Sequence, residues 1–289
     1  MEDNRATINI LTLKFQLSWN VHQYHQYQRF TARAGVGRGK PAPPDSVQSW
    51  VTILLLSFFA IPNMTVLNRP EERHDAGGAE IVAQYVEAVV PLDAAHPAQL
   101  WQRAIPIAFS SDWQGKNADP GRETQVRALW SRKYLYLRFS CHYRELFTFE
   151  DFDPSGRRDH LWDRDVAEAF LQPEPSRERF YREFEVSPNG MWVDLDIFPG
   201  GLADLKSGLQ RSVVLDEKAH TWTAELAIPM KSLTVNFDPD RIWRANFYRV
   251  EGRKEPRAYL AWQATHTPQP NFHVPKAFGR LRFAGAPAT

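Results

Sequence analysis

The chain has 289 residues and a formal net charge of +1, and 24% of its residues are charged while 43% are hydrophobic. These values are typical of a globular protein with one large or two small domains. The small net charge argues against nucleic acid as a partner, because nucleic-acid-binding surfaces need a basic excess. Aromatic residues make up 13% of the chain and include ten tryptophans, which suits β-sheet cores and also the flat surfaces on which sugar rings stack.

Residues 1–78 are predicted to form an extension that precedes the folded domain. They lack sustained periodicity, contain a Gly- and Pro-rich basic linker at 34–44, and include an apolar run at 50–61. The run is too short to cross a bilayer comfortably, whereas its length matches the apolar core of a secretion signal. Two interpretations stay open. The run is a signal core and the protein is secreted or periplasmic, or translation starts at Met64 and the product is cytoplasmic.

The remainder is predicted to be an all-β domain, a two-sheet antiparallel sandwich with few short helices. From residue 123 onward, period-two alternation and short apolar runs are interrupted by turn residues about every ten positions. A short helix is also predicted at Ala94–Arg103 and a helical turn at Met230–Leu233. The predicted strands are Glu123–Trp130, Tyr134–Tyr143, Val166–Leu171, Arg179–Val186, Met191–Phe198, Arg211–Asp216, Thr221–Ile228, Ile242–Glu251, Tyr259–Thr265 and Gly279–Phe283.

Two acidic faces are predicted on neighbouring strands of this domain. Period two places Glu183 beside Glu185 on one strand, and Asp194 beside Asp196 on the next. If the two faces coincide, four carboxylates meet, which is unfavourable without compensation. Arginine side chains would supply that compensation, and so would a bound Ca²⁺, which prefers carboxylate oxygens. Both alternatives stay open. Cys141, the only cysteine, excludes an intrachain disulfide and is predicted to be a buried thiol.

Three segments carry a resemblance to a known family. They are Trp-Asp-Arg-Asp-Val-Ala-Glu-Ala-Phe at 162–170, Trp-Thr-Ala-Glu-Leu-Ala-Ile-Pro at 222–229, and Pro-Lys-Ala-Phe-Gly-Arg-Leu-Arg-Phe at 275–283. In order and spacing they resemble the family 9 carbohydrate-binding modules and the related DOMON-type sandwiches. The resemblance runs from about residue 80 to residue 283. It implies a carbohydrate-binding sandwich over 79–285 with no catalytic residues.

The resemblance also implies that a sugar lies between two aromatic rings, which fall on Trp162 and Phe272 in this chain. The loop around Trp162 is polar on both sides, so an exposed indole is predicted, and an exposed indole suits a sugar face. Phe272 and Gln269 lie in a proline-stiffened loop that would present the phenyl ring. The alternative is that both rings pack as part of the core.

Polar residues on neighbouring strands complete the implied site. The family carboxylate falls on Glu168, six residues after the first ring. A family arginine on the next strand is replaced by Glu185, and a later polar position falls near Arg249. The predicted ligand-binding residues are therefore Trp162, Glu168, Glu185, Arg249, Gln269 and Phe272.

Two classes of function follow from these features. The first is a non-catalytic module that binds mono- or oligosaccharides, free-standing or alongside polysaccharide-degrading enzymes in carbohydrate catabolism. The alternative is a glycoside hydrolase that uses Glu168 and Glu185 as the carboxylate pair, which retention would place about 5 Å apart. Haem binding, which the DOMON kinship implies, would need an axial Met or His pair that is not evident. The sequence has no zinc-ligand spacing, P-loop, dinucleotide fingerprint or nucleophile elbow.

Overall fold

A computed structural model describes residues 79–151 and 156–285 of the chain. They belong to one structural unit that spans Gly77–Thr289. The predicted extension at 1–78, with its apolar run at 50–61, lies outside the described residues. Within the described ranges, no helix combines the length and the apolar character that a membrane span requires.

Strands dominate the described residues, so the prediction of an all-β domain is confirmed. The strands are β1 (Glu80–Tyr85), β2 (Ile107–Phe109), β3 (Thr124–Trp130), β4 (Tyr134–His142), β5 (Val166–Gln172), β6 (Tyr181–Val186), β7 (Trp192–Phe198), β8 (Gly201–Asp204), β9 (Gln210–Asp216), β10 (Thr221–Pro229), β11 (Trp243–Glu251), β12 (Ala258–Ala261) and β13 (Gly279–Ala284). One helical turn, α1, spans Met230–Leu233, and 3₁₀ turns occur at Gln99–Arg103, Pro120–Arg122, Leu161–Asp163 and Pro275–Ala277.

The strands form one continuous sheet that curls into two facing halves. Its order is β8-β7-β6-β5-β11-β13-β1-β3-β4-β10-β9, and β12 and β2 pair with β11 and β3 respectively. Strand β1 runs parallel to β13 and β3, and the other pairs are antiparallel. Phe139 of β4 meets Phe247 of β11 with ring centroids 6.0 Å apart. The half that contains β4 therefore packs face to face on the half that contains β11, as in a sandwich.

The main core lies between these halves and follows directly from the period-two pattern. Alternate residues of each strand point to the same face, so the apolar positions of β3, β4, β10 and β11 converge. Trp222, Phe139 and Phe247 are fully buried there. Each such side chain contributes about 1.5–3 kcal/mol or more when it leaves water. Cys141 is buried in this core, as predicted, and burial raises the pKa of its thiol.

Several local predictions are wrong. The sequence pattern did not predict the strands β1, β2 and β8. The helix predicted at Ala94–Arg103 is only a 3₁₀ turn at Gln99–Arg103. Pro97 disfavours helical backbone in the residue before it, and Ala98, at the start of the turn, makes no side-chain capping bond.

The half built from β5, β6, β7 and β11 has a second covered face, which positions the candidate site. Its inner face contributes to the main core. The other face, here called the outer face, carries a separate apolar cluster. Members of that cluster include Phe170, Tyr181, Val193, Tyr248 and Phe272.

Candidate functional site

Three glutamates meet on the outer face because of the strand register. Glu168 of β5 lies directly opposite Glu185 of β6, and Phe170 lies opposite Glu183. Residues opposite each other in an antiparallel pair share a face. One carboxylate oxygen from each glutamate lies within 4.8 Å of the others, a grouping that could hold a metal ion. We call Glu168, Glu183 and Glu185 the glutamate cluster.

The glutamate cluster is almost sealed from solvent. Glu168 and Glu183 are each 3% exposed, and Glu185 is 0% exposed. Burial raises the pKa values of Glu168 and Glu185 well above the usual glutamate range, and the negative charges of neighbouring carboxylates raise them further. The guanidinium of Arg257 opposes this rise at Glu168. The cluster therefore favours either shared protons or a positive ligand.

Tyr248 and Phe272 lie next to the cluster. Tyr248 of β11 is opposite Glu168. Its hydroxyl accepts a bond from Asn246 Nδ2 at 2.7 Å and donates to the Phe272 carbonyl at 2.9 Å. The two rings stack with centroids 4.1 Å apart and an angle of 10° between their planes. This stack fixes the proline-rich loop on the outer face.

Phe272 is therefore more deeply packed than the sequence predicted. It is only 9% exposed, and one of its faces rests on Tyr248. Of the two alternatives for this ring, the structure favours packing in the core, because the loop is held against the outer face. Trp113 Nε1 donates to the Thr267 carbonyl at 2.9 Å, which anchors the start of the loop. Gln269, in contrast, is exposed.

Trp162 keeps partial exposure at the edge of the outer face. It lies in the 3₁₀ turn Leu161–Asp163, which follows His160 in the left-handed region with φ 57°. The indole is partly buried against the same apolar cluster that contains Phe272. The His160 ring lies 4.8 Å from the indole, and the Trp162 carbonyl accepts a bond from Arg257 Nη1 at 3.0 Å. The two predicted aromatic residues thus belong to one region of the molecule.

A buried carboxylate ties the loops beside Trp162 together. Asp165, which is fully buried, accepts bonds from the backbone amides of Phe147 and Gly252, each at 2.8 Å. Arg257 Nη2 lies 3.8 Å from the same carboxylate. Burial raises the pKa of Asp165, while Arg249 and the two amides oppose the rise. Asp165 therefore acts as the link that positions the turn carrying Trp162.

Arg249 does not join the other predicted ligand-binding residues. It follows Tyr248 in β11, and successive residues of a strand point to opposite faces. Arg249 lies opposite Ala167 and is fully buried on the inner face. Its guanidinium lies 5.0 Å from the Trp222 ring and 3.3 Å from a Glu251 oxygen. The structure thus separates Arg249 from the outer face.

The predicted meeting of four carboxylates is also corrected. Asp194 lies opposite Phe184, and Asp196 lies opposite Arg182, so both aspartates face away from the glutamate cluster. Arg182 and Asp196 form an ion pair, and Asp194 accepts a bond from the Ser207 amide at 2.7 Å. The acidic side chains of β6 instead share the outer face with Glu168, because the register pairs Glu185 with Glu168 on β5 and with Val193 on β7.

The sequence did not single out Tyr248, Asp165 or the part that Glu183 plays in the cluster. Period two placed Glu183 with Glu185, but nothing local showed that β5 would supply the third carboxylate. Tyr248 gave only the signal of a β-strand aromatic. These residues acquire their roles from pairing between strands that are distant in the chain.

The cluster has the carboxylate spacing of a hydrolase but not its access. Retaining glycosidases place their carboxyl groups about 5 Å apart on either side of an accessible bond. Glu168 and Glu185 are close enough, yet both are buried beneath the apolar cluster of the outer face. The arrangement as it stands offers neither carboxyl group to a glycosidic oxygen.

Comparisons with known proteins agree with this architecture. Residues 205–283 match the model of carbohydrate-binding family 9. A curated relative, an extracellular protein of Arthroderma benhamiae, is 27% identical over 180 residues, which cover 57% of this chain and 80% of that protein.

Solved structures share the fold at low sequence identity. A protein of Bacteroides uniformis that has been proposed to bind carbohydrate has a TM-score of 0.60 and 18% identity, over 72% of this chain and 100% of that one. A family 9 module of Caldicellulosiruptor kristjanssonii in complex with cellotriose gives 0.53 and 15%, over 72% and 95% of the two chains. The complex with glucose gives 0.52 and 15%, over 73% and 98%. The predicted resemblance to carbohydrate-binding family 9 is thereby confirmed: residues 205–283 match the family's sequence model, and the described residues share the all-β fold of these structures.

Proposed function

We propose that the described domain binds carbohydrate, without hydrolysing it, at the edge of the outer face where Trp162 lies. The family match and the fold shared with modules that hold cellotriose and glucose support this class of ligand. The observation that carries the proposal is that Trp162 is a partly exposed indole, packed against the apolar cluster of the outer face and 4.8 Å from the His160 ring. A fixed indole suits the C–H face of a sugar ring, since little conformational freedom is lost on binding.

The aromatic residues have unequal parts in this proposal. Trp162 supplies the stacking face. Phe272, with its ring on Tyr248 and 9% exposed, supports the floor beside it and offers an edge rather than a second open face. A sugar clamped between the two rings would require the Phe272 loop to lift away from Tyr248.

The polar part of the proposed site lies around Trp162. His160, Asp163 and Gln269 offer hydrogen-bonding groups near the surface, while Glu168 and Glu185 lie beneath it. Direct contact between a sugar hydroxyl and either glutamate requires the apolar residues above them to part. While these apolar residues stay in place, the two glutamates lie below the proposed site and do not contact the sugar.

A titration tests the proposal directly. Cellotriose and glucose are added to the full chain while tryptophan fluorescence and binding heat are recorded. Trp162→Ala should lower the affinity about fivefold or more, because stacking on an aromatic ring contributes roughly 1 kcal/mol or more, while Trp162→Phe should retain part of it.

Trp262→Phe is the matched control. Trp262 is also partly buried, but it packs on the main core. Its substitution should leave sugar affinity unchanged, and thermal denaturation verifies that each variant is folded. Equal affinities for wild type and Trp162→Ala would remove the proposed platform.

Hydrolysis of O-glycosyl bonds is the second candidate, and one observation favours it. A carboxyl group with a raised pKa suits a general acid, and both Glu168 and Glu185 have raised pKa values. Their burial argues against it. Release of an aryl alcohol from aryl glycosides, lost in Glu168→Gln, would establish catalysis.

We further propose that binding serves polysaccharide breakdown, with degrading enzymes as partners and an extracellular place of action like that of the Arthroderma relative. Co-sedimentation with insoluble cellulose, and recovery of the protein from the culture medium of its source cells, test these two points separately.

A further inference from the structure

The glutamate cluster contains buried carboxylate oxygens that receive no hydrogen bond from the described residues. Both carboxylate oxygens of Glu185 and Oε2 of Glu183 are buried and have no hydrogen-bond partner among the described residues. A buried polar group without a partner destabilises the fold, and a buried charge without one destabilises it more. Two adjacent glutamates with three orphaned oxygens therefore need a ligand or protons.

The residues around Glu183 and Glu185 explain why these carboxylates receive no hydrogen bond from them. On β7, Glu185 faces Val193 and Glu183 faces Leu195, which are both apolar. The Tyr248 hydroxyl, beside Glu168, already donates to the Phe272 carbonyl. None of these three neighbours donates a hydrogen bond to the orphaned oxygens.

The two arginines near the cluster, Arg257 and Arg182, form their hydrogen bonds and ion pair with other groups. The guanidinium of Arg257 donates to the carbonyls of Gly252 and Trp162, at 2.8 and 3.0 Å. Arg182 lies one residue from Glu183 in the strand, and it forms its ion pair with Asp196 on the opposite face. The charge of Arg257 acts on Glu168, but it is one positive charge beside three clustered carboxyl groups.

We propose that Glu168, Glu183 and Glu185 together bind one divalent cation that prefers oxygen ligands, with Ca²⁺ as the first candidate. Three carboxylates can provide up to six oxygens, and Ca²⁺ takes six to eight, whereas Mg²⁺ demands a tighter octahedron. A cation would neutralise most of the charge and engage the orphaned oxygens of Glu185 and Glu183 at once. Two shared protons would form fewer bonds.

The ion would lock β5 to β6 beneath the outer face. Glu168 comes from β5, and the other two ligands come from β6, so the ion would bridge the strands. Glu168 and Glu185 also lie beneath the proposed sugar site, so the metal titration is carried out in sugar-free buffer and the sugar proposal is judged on Trp162. A missing calcium response and an unchanged sugar affinity in Trp162→Ala are therefore distinguishable results.

The experiment is a metal titration of the full chain after treatment with EDTA and dialysis. CaCl₂, MgCl₂ and MnCl₂ are added separately while binding heat is recorded, and TbCl₃ is added while its luminescence, sensitised by nearby aromatic residues, is followed. We expect one Ca²⁺ per chain and a rise of several degrees in the melting temperature at saturating calcium.

Three variants locate the ion. Glu185→Gln should abolish the calcium-dependent rise, and Glu183→Gln should weaken binding at least tenfold. Glu217→Gln, at an exposed glutamate far along the chain from the cluster, should behave like the wild type. If Glu185→Gln does not fold, Glu183→Gln and the wild-type titration decide the matter.

Two results would overturn the inference. One is wild-type protein that binds none of the three divalent ions at millimolar concentration and shows no metal-dependent melting shift. The other is stoichiometric binding that persists unchanged in Glu185→Gln and Glu183→Gln, which would place the ion elsewhere.

Discussion

Substitution of Phe272 by alanine tests whether this ring is part of the folded core or a mobile platform. The ring is 9% exposed, stacks on Tyr248 at 4.1 Å and approaches the edge of Tyr259 at 6.3 Å. Removing a buried phenylalanine side chain costs about 3–5 kcal/mol. The ring lies in a loop that can partly collapse into the cavity left by the substitution. We therefore expect Phe272→Ala to lower the free energy of unfolding by about 3 kcal/mol. The bond from the Tyr248 hydroxyl to the backbone carbonyl at 272 survives the change.

The loss is measured by urea and thermal denaturation followed by far-ultraviolet circular dichroism. For a domain of this size, 1 kcal/mol shifts the melting temperature by about 2–4 °C, so Phe272→Ala should lower it by roughly 6–12 °C. Phe272→Leu, the control, preserves most of the buried volume and should lose about 1.5 kcal/mol or less. A loss below about 1 kcal/mol in Phe272→Ala would mean that the ring is not packed in solution. The loop would then be free to present it to a sugar.

Two further changes test the polar framework. Asp165→Ala removes the acceptor of two buried amide bonds, from Phe147 and Gly252, and should cost about 3 kcal/mol in urea denaturation; an unchanged midpoint would show that Asp165 does not link these loops. The hydrogen bonds from Arg144 hold the pKa of Asp119 well below its usual range, so this ion pair stabilises the fold above about pH 4 and its contribution fades as the pH falls. Arg144 is half exposed, so Asp119→Asn should cost only about 1 kcal/mol at pH 7, and a stability gap to wild type that stays constant down to pH 3 would contradict this assignment.

Six of the strands that the sequence predicted correctly are joined in pairs by a short turn: β3–β4, β6–β7 and β9–β10. Alternation and turn chemistry are local, so they can be recognised within about twenty residues. β1 escaped prediction because its partner is distant: Glu80 lies opposite Arg280 in the parallel pair with β13.

The same distinction applies to the candidate site. The chain alone determined the all-β class, most strand bounds and the resemblance that singled out Trp162, Glu168 and Phe272. It also placed Glu183 and Glu185 on one face of a strand, because the side-chain period of a strand is two.

Only the tertiary structure decided which faces meet and which become buried. The register of β6 with β5 and β7 determined that its glutamates share a face with Glu168 rather than with Asp194, and the register of β11 with β5 placed Arg249 on the opposite face. The covering of Phe272 depends on Tyr248, a residue brought to it by β11. Period two gives each strand two faces, but long-range pairing and loop packing decide what each face contacts.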